Sequence, residues 1–170
     1  MAIILGIDPG ATGGVFRLQV DEHENIVYSK MMTCSSSDMD TVAVIKDQVG
    51  SGVDVAVVEQ VSSFPGQGVS STFTFGRRYG VILGVLHSLK CNTILVRSQK
   101  WQKDLGMTLS KDVGSNIESS SKKKAYRRKL MKESAFSKSL ELFSECDGKK
   151  ITKENSDAAL IALWGSKFAL

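Results

Sequence analysis

The sequence predicts an α/β fold on a mixed five-stranded sheet, three antiparallel strands then two parallel ones, with helices on both faces. Three observations carry that expectation. Two continuous apolar runs, Ala2–Asp8 (AIILGID) and Val53–Glu59 (VDVAVVE), have strand length and the pattern of strands buried on both faces. Polar turns too short for a crossover join the first run to Val15–Val20 and that to Ile26–Met31, so these three are antiparallel neighbours. A long helical segment separates Val53–Glu59 from Asn92–Val96, which makes those two strands parallel through a right-handed crossover.

Taken in order, Pro9-Gly10 breaks the first strand and Ala11-Thr12-Gly13-Gly14 turns into Val15–Val20, whose alternation marks a hairpin partner. Asp21–Asn25 is a polar turn and Ile26–Met31 a third strand. Ser35–Ser37 is a loop from which Ser37 or Asp38 caps a helix to about Val49, ended by Gly50-Ser51-Gly52. Beyond the fourth strand, Ser62–Ser71 is rich in Gly, Ser and Pro and reads as a loop, and Thr72–Lys90 reads as a long helix. There Gly76, Gly80 and Gly84 recur every four residues on one stripe. Glycine inside a helix costs about 1 kcal/mol each, so three in register imply a close backbone contact. Tight packing on the sheet is one reading; a contact between subunits is the other.

Asn92–Val96 is the fifth strand and Gln99–Leu105 a short helical turn. Thr108–Ser121 is polar and Ser-rich, the composition of a mobile loop. Lys122–Glu145 returns to helical periodicity, with Phe136, Leu140 and Phe143 on one face. A turn at Asp147–Lys150 leads to a final helix, Ile151–Phe168.

The 170 residues, 42 % hydrophobic and 24 % charged, fit one domain over 1–170 with a flexible Ser/Lys-rich loop around 108–124. Three well-separated cysteines (Cys34, Cys91, Cys146), no C-x-x-C pair and two histidines argue against a zinc site. They favour free thiols in a reducing intracellular compartment. No apolar run approaches the roughly 18 residues of a membrane span, and MAIILGIDPG lacks the basic start and cleavage site of a secretion signal. The net charge of +4 is unevenly spread: residues 1–60 hold 3 basic and 9 acidic side chains, residues 61–170 hold 19 basic and 9 acidic. A basic second half suits a polyanion such as nucleic acid, although a solvated lysine-rich surface reads the same way.

Four carboxylates stand at unusual places. Asp8 and Glu59 end two strands that lie side by side if the parallel pair is adjacent, and open α/β sheets gather ligands at such carboxyl ends. Glu154 and Asp157 are spaced i, i+3 at the start of the last helix and so share a face. Acids converging without histidine or cysteine make an all-oxygen site that favours Mg²⁺, or Mn²⁺ in its place, over zinc. Two such ions activate a water and stabilise the leaving 3′ oxygen of a phosphodiester. Each acid has a plainer role open to it: an Asx turn for Asp8, an arginine partner for Glu59, the helix dipole for Glu154 and Asp157.

The stretches Gly6-Ile7-Asp8-Pro9-Gly10-x-Thr12-Gly13, Val58-Glu59-Gln60-Val61, Gly76-x-x-x-Gly80-Val81 and Ser156–Ala162 (SDAALIA) resemble the RuvC family of Holliday junction resolvases. The likeness is strongest to phage- and organelle-type members, through Gly66-Gln67-Gly68 and Gln99–Lys103. It spans nearly the whole chain in the family's order. It implies an RNase H-like fold, a homodimer, and a four-way DNA junction nicked symmetrically with two Mg²⁺ ions to leave 5′-phosphate and 3′-hydroxyl ends. Asp8, Glu59 and Asp157 match three metal-binding acids, and Glu154 falls where the family has a fourth, usually aspartate.

For the DNA surface, Lys122, Lys123, Lys124, Arg127, Arg128, Lys129 and Lys132 crowd one helix start, and neutralising phosphates releases counterions. Arg77 and Arg78 join them from the glycine-striped helix. The resemblance implies that a lysine of the Gln99–Lys103 segment, Lys100 or Lys103, and another near the basic helix face the scissile phosphate. Trp101 between them reads as core. Phe64 resembles a family aromatic near the junction crossover, where it would stack on a base; a loop anchor is the plainer reading. A nucleotide-binding kinase-like half opens with the same Asp-Gly-Thr hairpin but needs two lobes, so no nucleotide cofactor is expected. A non-catalytic binding subunit would lack the acids. A nuclease of RNA–DNA hybrids or other branched DNA is the nearer rival.

Overall fold

The computed structural model describes residues 1–33, 37–62 and 68–170. The elements run β1 (Ala2–Ile7), β2 (Gly14–Val20), β3 (Ile26–Thr33), α1 (Asp38–Gly50), β4 (Val55–Glu59), α2 (Val69–Ser88), β5 (Thr93–Val96), α3 (Ser98–Asp104), α4 (Ser120–Leu142), β6 (Asp147–Gly148) and α5 (Ser156–Phe168). The sheet order is β5-β4-β1-β2-β3-β6. The β1–β2 and β2–β3 pairs are antiparallel, and β1–β4 and β4–β5 are parallel, as the connections required. The expected five strands become six. Asp147–Gly148 forms a two-residue parallel strand on Lys30–Met31 where a turn was expected, and two residues carry no alternation to announce it.

Each central strand divides its side chains strictly between two cores, as a period of two demands. Ile4, Phe16, Leu18, Val55 and Val57 join the core under α3, α4 and α5, while Leu5, Ile7, Val15, Ala56 and Val58 join the core under α1 and α2. Helix α5 is buried along Ser156–Ser166 and apolar almost all round, the signature of an internal helix. Two glycines let it sit against the strands. A Cβ on Gly6 would strike the Ala158 carbonyl and the Ala162 nitrogen, and one on Gly165 would lie 2.8 Å from methyls of Ile4 and Val57. On the opposite core, Arg17 is buried and donates to the carbonyls of Gln48, Ser51 and Gly52, closing the C-terminal end of α1.

Helix ends depart from expectation where side chains compete for backbone. The last helix starts at Ser156, five residues late, because Asn155 accepts from Thr152 N–H (2.8 Å) and donates to the Lys150 carbonyl (3.1 Å), which fixes a turn ahead of it. Helix α2 starts three residues early, taking Val69–Ser71 from the expected Ser62–Ser71 loop, with Thr72 bonded to the Gly68 carbonyl. Ser37 caps α1 as expected. Within the expected Thr108–Ser121 loop, residues 111–116 form turns and Ser120–Ser121 open α4, and Arg127 donates to the carbonyls of Leu109, Ser110 and Val113. The glycine stripe does not pack on the sheet: a Cβ at Gly76, Gly80 or Gly84 meets nothing within 4 Å. Among the described residues no helix is long and apolar enough to cross a membrane. Cys34, Phe64 and Gly66-Gln67 lie outside the described residues; Cys91 and Cys146 are half-buried free thiols.

Candidate active site

Strand parity decides which way the first two acids face. In β1, Ile4 and Gly6 face α5 and the next residue of that parity is Asp8; in β4, Val55 and Val57 face α5 and the next is Glu59. The parallel register pairs Ile7 with Val58, so Asp8 and Glu59 emerge as neighbours at the carboxyl ends of their strands. Asp157, in the first turn of α5, comes down onto the same end. The three carboxylates act on one another: Asp157 raises the pKa of Asp8, and both Asp8 and Asp157 raise that of Glu59.

Asp8 is buried and holds its own turn. Its Oδ1 accepts from Gly10 N–H at 2.9 Å, the Asx turn open to it from sequence, and its N–H donates to the Gly14 carbonyl at 3.0 Å. Burial raises its pKa first; the Gly10 bond and the charges of Lys132 and Arg78 pull against that. Glu59 is pushed up to about 7 by burial, then by Asp8 and Asp157, with hydrogen bonds from Trp101 and Ser98 opposing. The Trp101 indole Nε1 donates to Glu59 Oε1 at 3.4 Å. Asp157 Oδ2 receives the Lys132 ammonium at 2.6 Å.

Glu154 stands apart. The late start of α5 leaves it exposed in the preceding turn, so the shared helical face with Asp157 does not form. Its carboxyl lies below the usual range through the Thr152 hydroxyl first, with Lys132 and Lys153 contributing. Lys132 is thus the cation common to Asp8, Glu154 and Asp157.

The basic residues divide by task. Lys124, Arg128, Lys129 and Lys132 follow one another along one face of α4, and Lys132 is the partner of Asp157. Lys122 is exposed and Lys123 half-buried at the same helix start. Arg127 is turned to the loop carbonyls instead. Lys100 is exposed, pairs with Asp104 at 2.8 Å and lies 5.8 Å from the Trp164 ring; Lys103 is exposed on the same short helix. Arg77 pairs with Asp38 at 3.3 Å. Arg78 is buried, its charge acts on Asp8, and its Nε and Nη2 have no hydrogen-bond partner among the described residues.

Sequence reasoning counted Lys132 as one cation of a surface cluster and Trp101 as core; both touch the acids. Spacing gave no signal for either, since each contact joins elements far apart in the chain. An all-oxygen donor set whose members repel one another suits a hard divalent cation. Even so, no three Asp, Glu, His or Cys side chains among the described residues are arranged as a ready cage. Lys132, not a second carboxylate, closes on Asp157.

A mixed sheet of this strand order with helices on both faces is an RNase H-like α/β fold. Within it, the chain is similar in fold to the RuvC-type Holliday junction resolvases. A structure of T. thermophilus RuvC matches with a TM-score of 0.62 at 14% identity, covering 98% of this chain and 95% of that one. T. thermophilus RuvC in complex with Holliday junction substrate matches with a TM-score of 0.61, also at 14% identity, over 98% and 94%. The sequence matches no protein-family model, and no curated protein is significantly similar to it.

Proposed function

We propose that the chain is a metal-dependent endonuclease that resolves four-way DNA junctions by paired nicks. The observation that carries this reading is the meeting of Asp8, Glu59 and Asp157 at one end of the sheet, with a row of cations on α4 reaching them through Lys132. The fold shared with a junction-bound RuvC supports it. Asp8, Glu59 and Asp157 would hold a pair of divalent ions, which would supply an activated water and charge neutralisation at the leaving 3′ oxygen, giving 5′-phosphate and 3′-hydroxyl ends. Mg²⁺ is the ion this donor set favours and Mn²⁺ its substitute.

The chain's own residues do the rest. Asp8, rigid in its Asx turn, and Glu59 and Asp157 bind the ions, and Glu154 joins only by leaving its turn. Lys132, whose ammonium lies on Asp157, is the cation beside the acids that would neutralise the scissile phosphate. Lys124, Arg128 and Lys129 carry the strand's phosphates along α4, and Lys122, Lys123, Lys100 and Lys103 are assigned to DNA by the sequence alone. Arg77, which pairs with Asp38 of α1 in the structure, and Phe64 are assigned to DNA by the sequence alone. Arg127 shapes the loop, and buried Arg78 balances the acids.

Two symmetric nicks need two such sites, and the exposed stripe of Gly76, Gly80 and Gly84 offers the face on which two copies meet through α2. Val69 and Phe73, 87% and 74% exposed on the same helix, extend that face. The test is incubation of a synthetic four-way junction with Mg²⁺, nick positions being mapped against duplex, RNA–DNA hybrid and flap controls. Symmetric nicks on the junction are expected. Cleavage of hybrid in preference to junction would transfer the reading to a ribonuclease, and binding without cleavage to a non-catalytic subunit.

A further inference from the structure

The chain has two tryptophans, and both aim the indole N–H at a carboxylate. Trp164 on α5 donates to Asp104 at 2.8 Å, outside the acid cluster. Trp101 on α3 donates to Glu59 at 3.4 Å, inside it. Trp101 is fully buried, and one hydrophobic core surrounds its ring. A core position needs no indole, and Phe would fill most of the volume. The N–H is the part that packing alone does not explain.

Glu59 has a reason to need a donor. It ends β4 on a side chain with three rotatable bonds, and Asp8 and Asp157 both repel its charge. Unheld, a carboxylate in that position swings away from its neighbours. The indole holds Oε1 from a fully buried ring, and the Ser98 side chain also bonds this carboxyl. The Trp164 indole bonds Asp104 at the other end of α3, away from Glu59.

Resting on the metal-site reading above, we infer that Trp101 is a positioning residue for Glu59: its indole N–H holds one carboxylate oxygen so that the other is presented with Asp8 and Asp157 to a divalent cation. Hydrogen-bonded partners of ligating side chains contribute on the order of 10–100-fold to metal affinity, which sets the scale.

The experiment is calorimetric titration of Mn²⁺ into the full chain without DNA, for wild type, Trp101→Phe, Trp164→Phe and Asp8→Asn. Circular dichroism and melting verify that each variant is folded. Trp101→Phe is expected to bind Mn²⁺ about tenfold more weakly, at the low end of that range, while Trp164→Phe, which loses the same chemical group elsewhere, stays within about twofold of wild type. Wild-type affinity in Trp101→Phe, or equal losses in both tryptophan variants, overturns the inference. Failure of the underlying metal site looks different: wild type would bind no better than Asp8→Asn. Should Trp101→Phe not fold, ¹⁵N-labelled wild type gives the same decision. The Trp101 indole resonance is expected to move on Mg²⁺ titration in wild type, to stay fixed in Asp8→Asn, and to leave the Trp164 resonance where it is. A Trp101 resonance indifferent to metal overturns the inference.

Discussion

Glu59 brings a carboxyl group into a place where it titrates at about 7, held there by burial and by two neighbouring acids. The sign of the consequence follows from proton counting. Between pH 4.5 and about 7 the unfolded chain has given up this proton and the folded chain keeps it. The metal-free fold therefore loses stability as pH rises through that window, by up to about 3 kcal/mol from this group, and levels off above it. In EDTA the melting temperature is expected to fall from pH 5 to pH 8 by more in wild type than in Glu59→Gln; an equal change in both contradicts the account. Asp8→Asn tests the chemistry itself. It removes a metal-binding charge from a site that repels phosphate, so cleavage is expected to vanish while junction binding stays or tightens, as gel shift and nicking assays on one preparation will report. Undiminished cleavage would contradict the site. Asp8 and Glu59 were legible from their place at the ends of apolar runs, and Asp157 from the motif around it. Lys132 and Trp101 were not, because a contact across 25 or 42 residues leaves no periodicity to read.

At the scale of the element, the strands were the easiest to read, because a period of two and short turns fix both pairing and direction. Helix boundaries were harder, since the deciding group was the Asn155 side chain, which could equally have entered the helix. The glycine stripe shows a different limit. Its spacing announced a close contact, but only the fold shows that the stripe faces outward. That placement gives a two-part prediction. Gly80→Ala, with open space around its Cβ, is expected to raise the melting temperature of the isolated subunit through about 1 kcal/mol of helix propensity. Gly80→Leu is expected to reduce a dimer to monomers in sedimentation equilibrium, and a dimer unaffected by leucine there would place the interface elsewhere.

For the whole molecule, the asymmetry of charge acquires a direction: the acids cluster at one sheet end and the cations of α4 lead to it. Junction affinity is expected to fall steeply with salt, and Lys124→Ala or Arg128→Ala to reduce that logarithmic slope by about 1 each. Arg127→Ala, which frees three loop carbonyls, is expected to leave the slope unchanged and to speed proteolysis between residues 109 and 113. The basic character of this half was visible in composition; which cations share the α4 face of Lys132 and which are turned to the loop was not, because that depends on the rotation of α4. Everything rests on three distant acids sharing a cation. A crystal soaked in Mn²⁺ tests it most directly through the anomalous signal. The account predicts a peak ligated by Asp8, Glu59 and Asp157, with Lys132 withdrawn from Asp157. Carboxylates that stay apart, with Lys132 still closed on Asp157 and no peak between them, would contradict it.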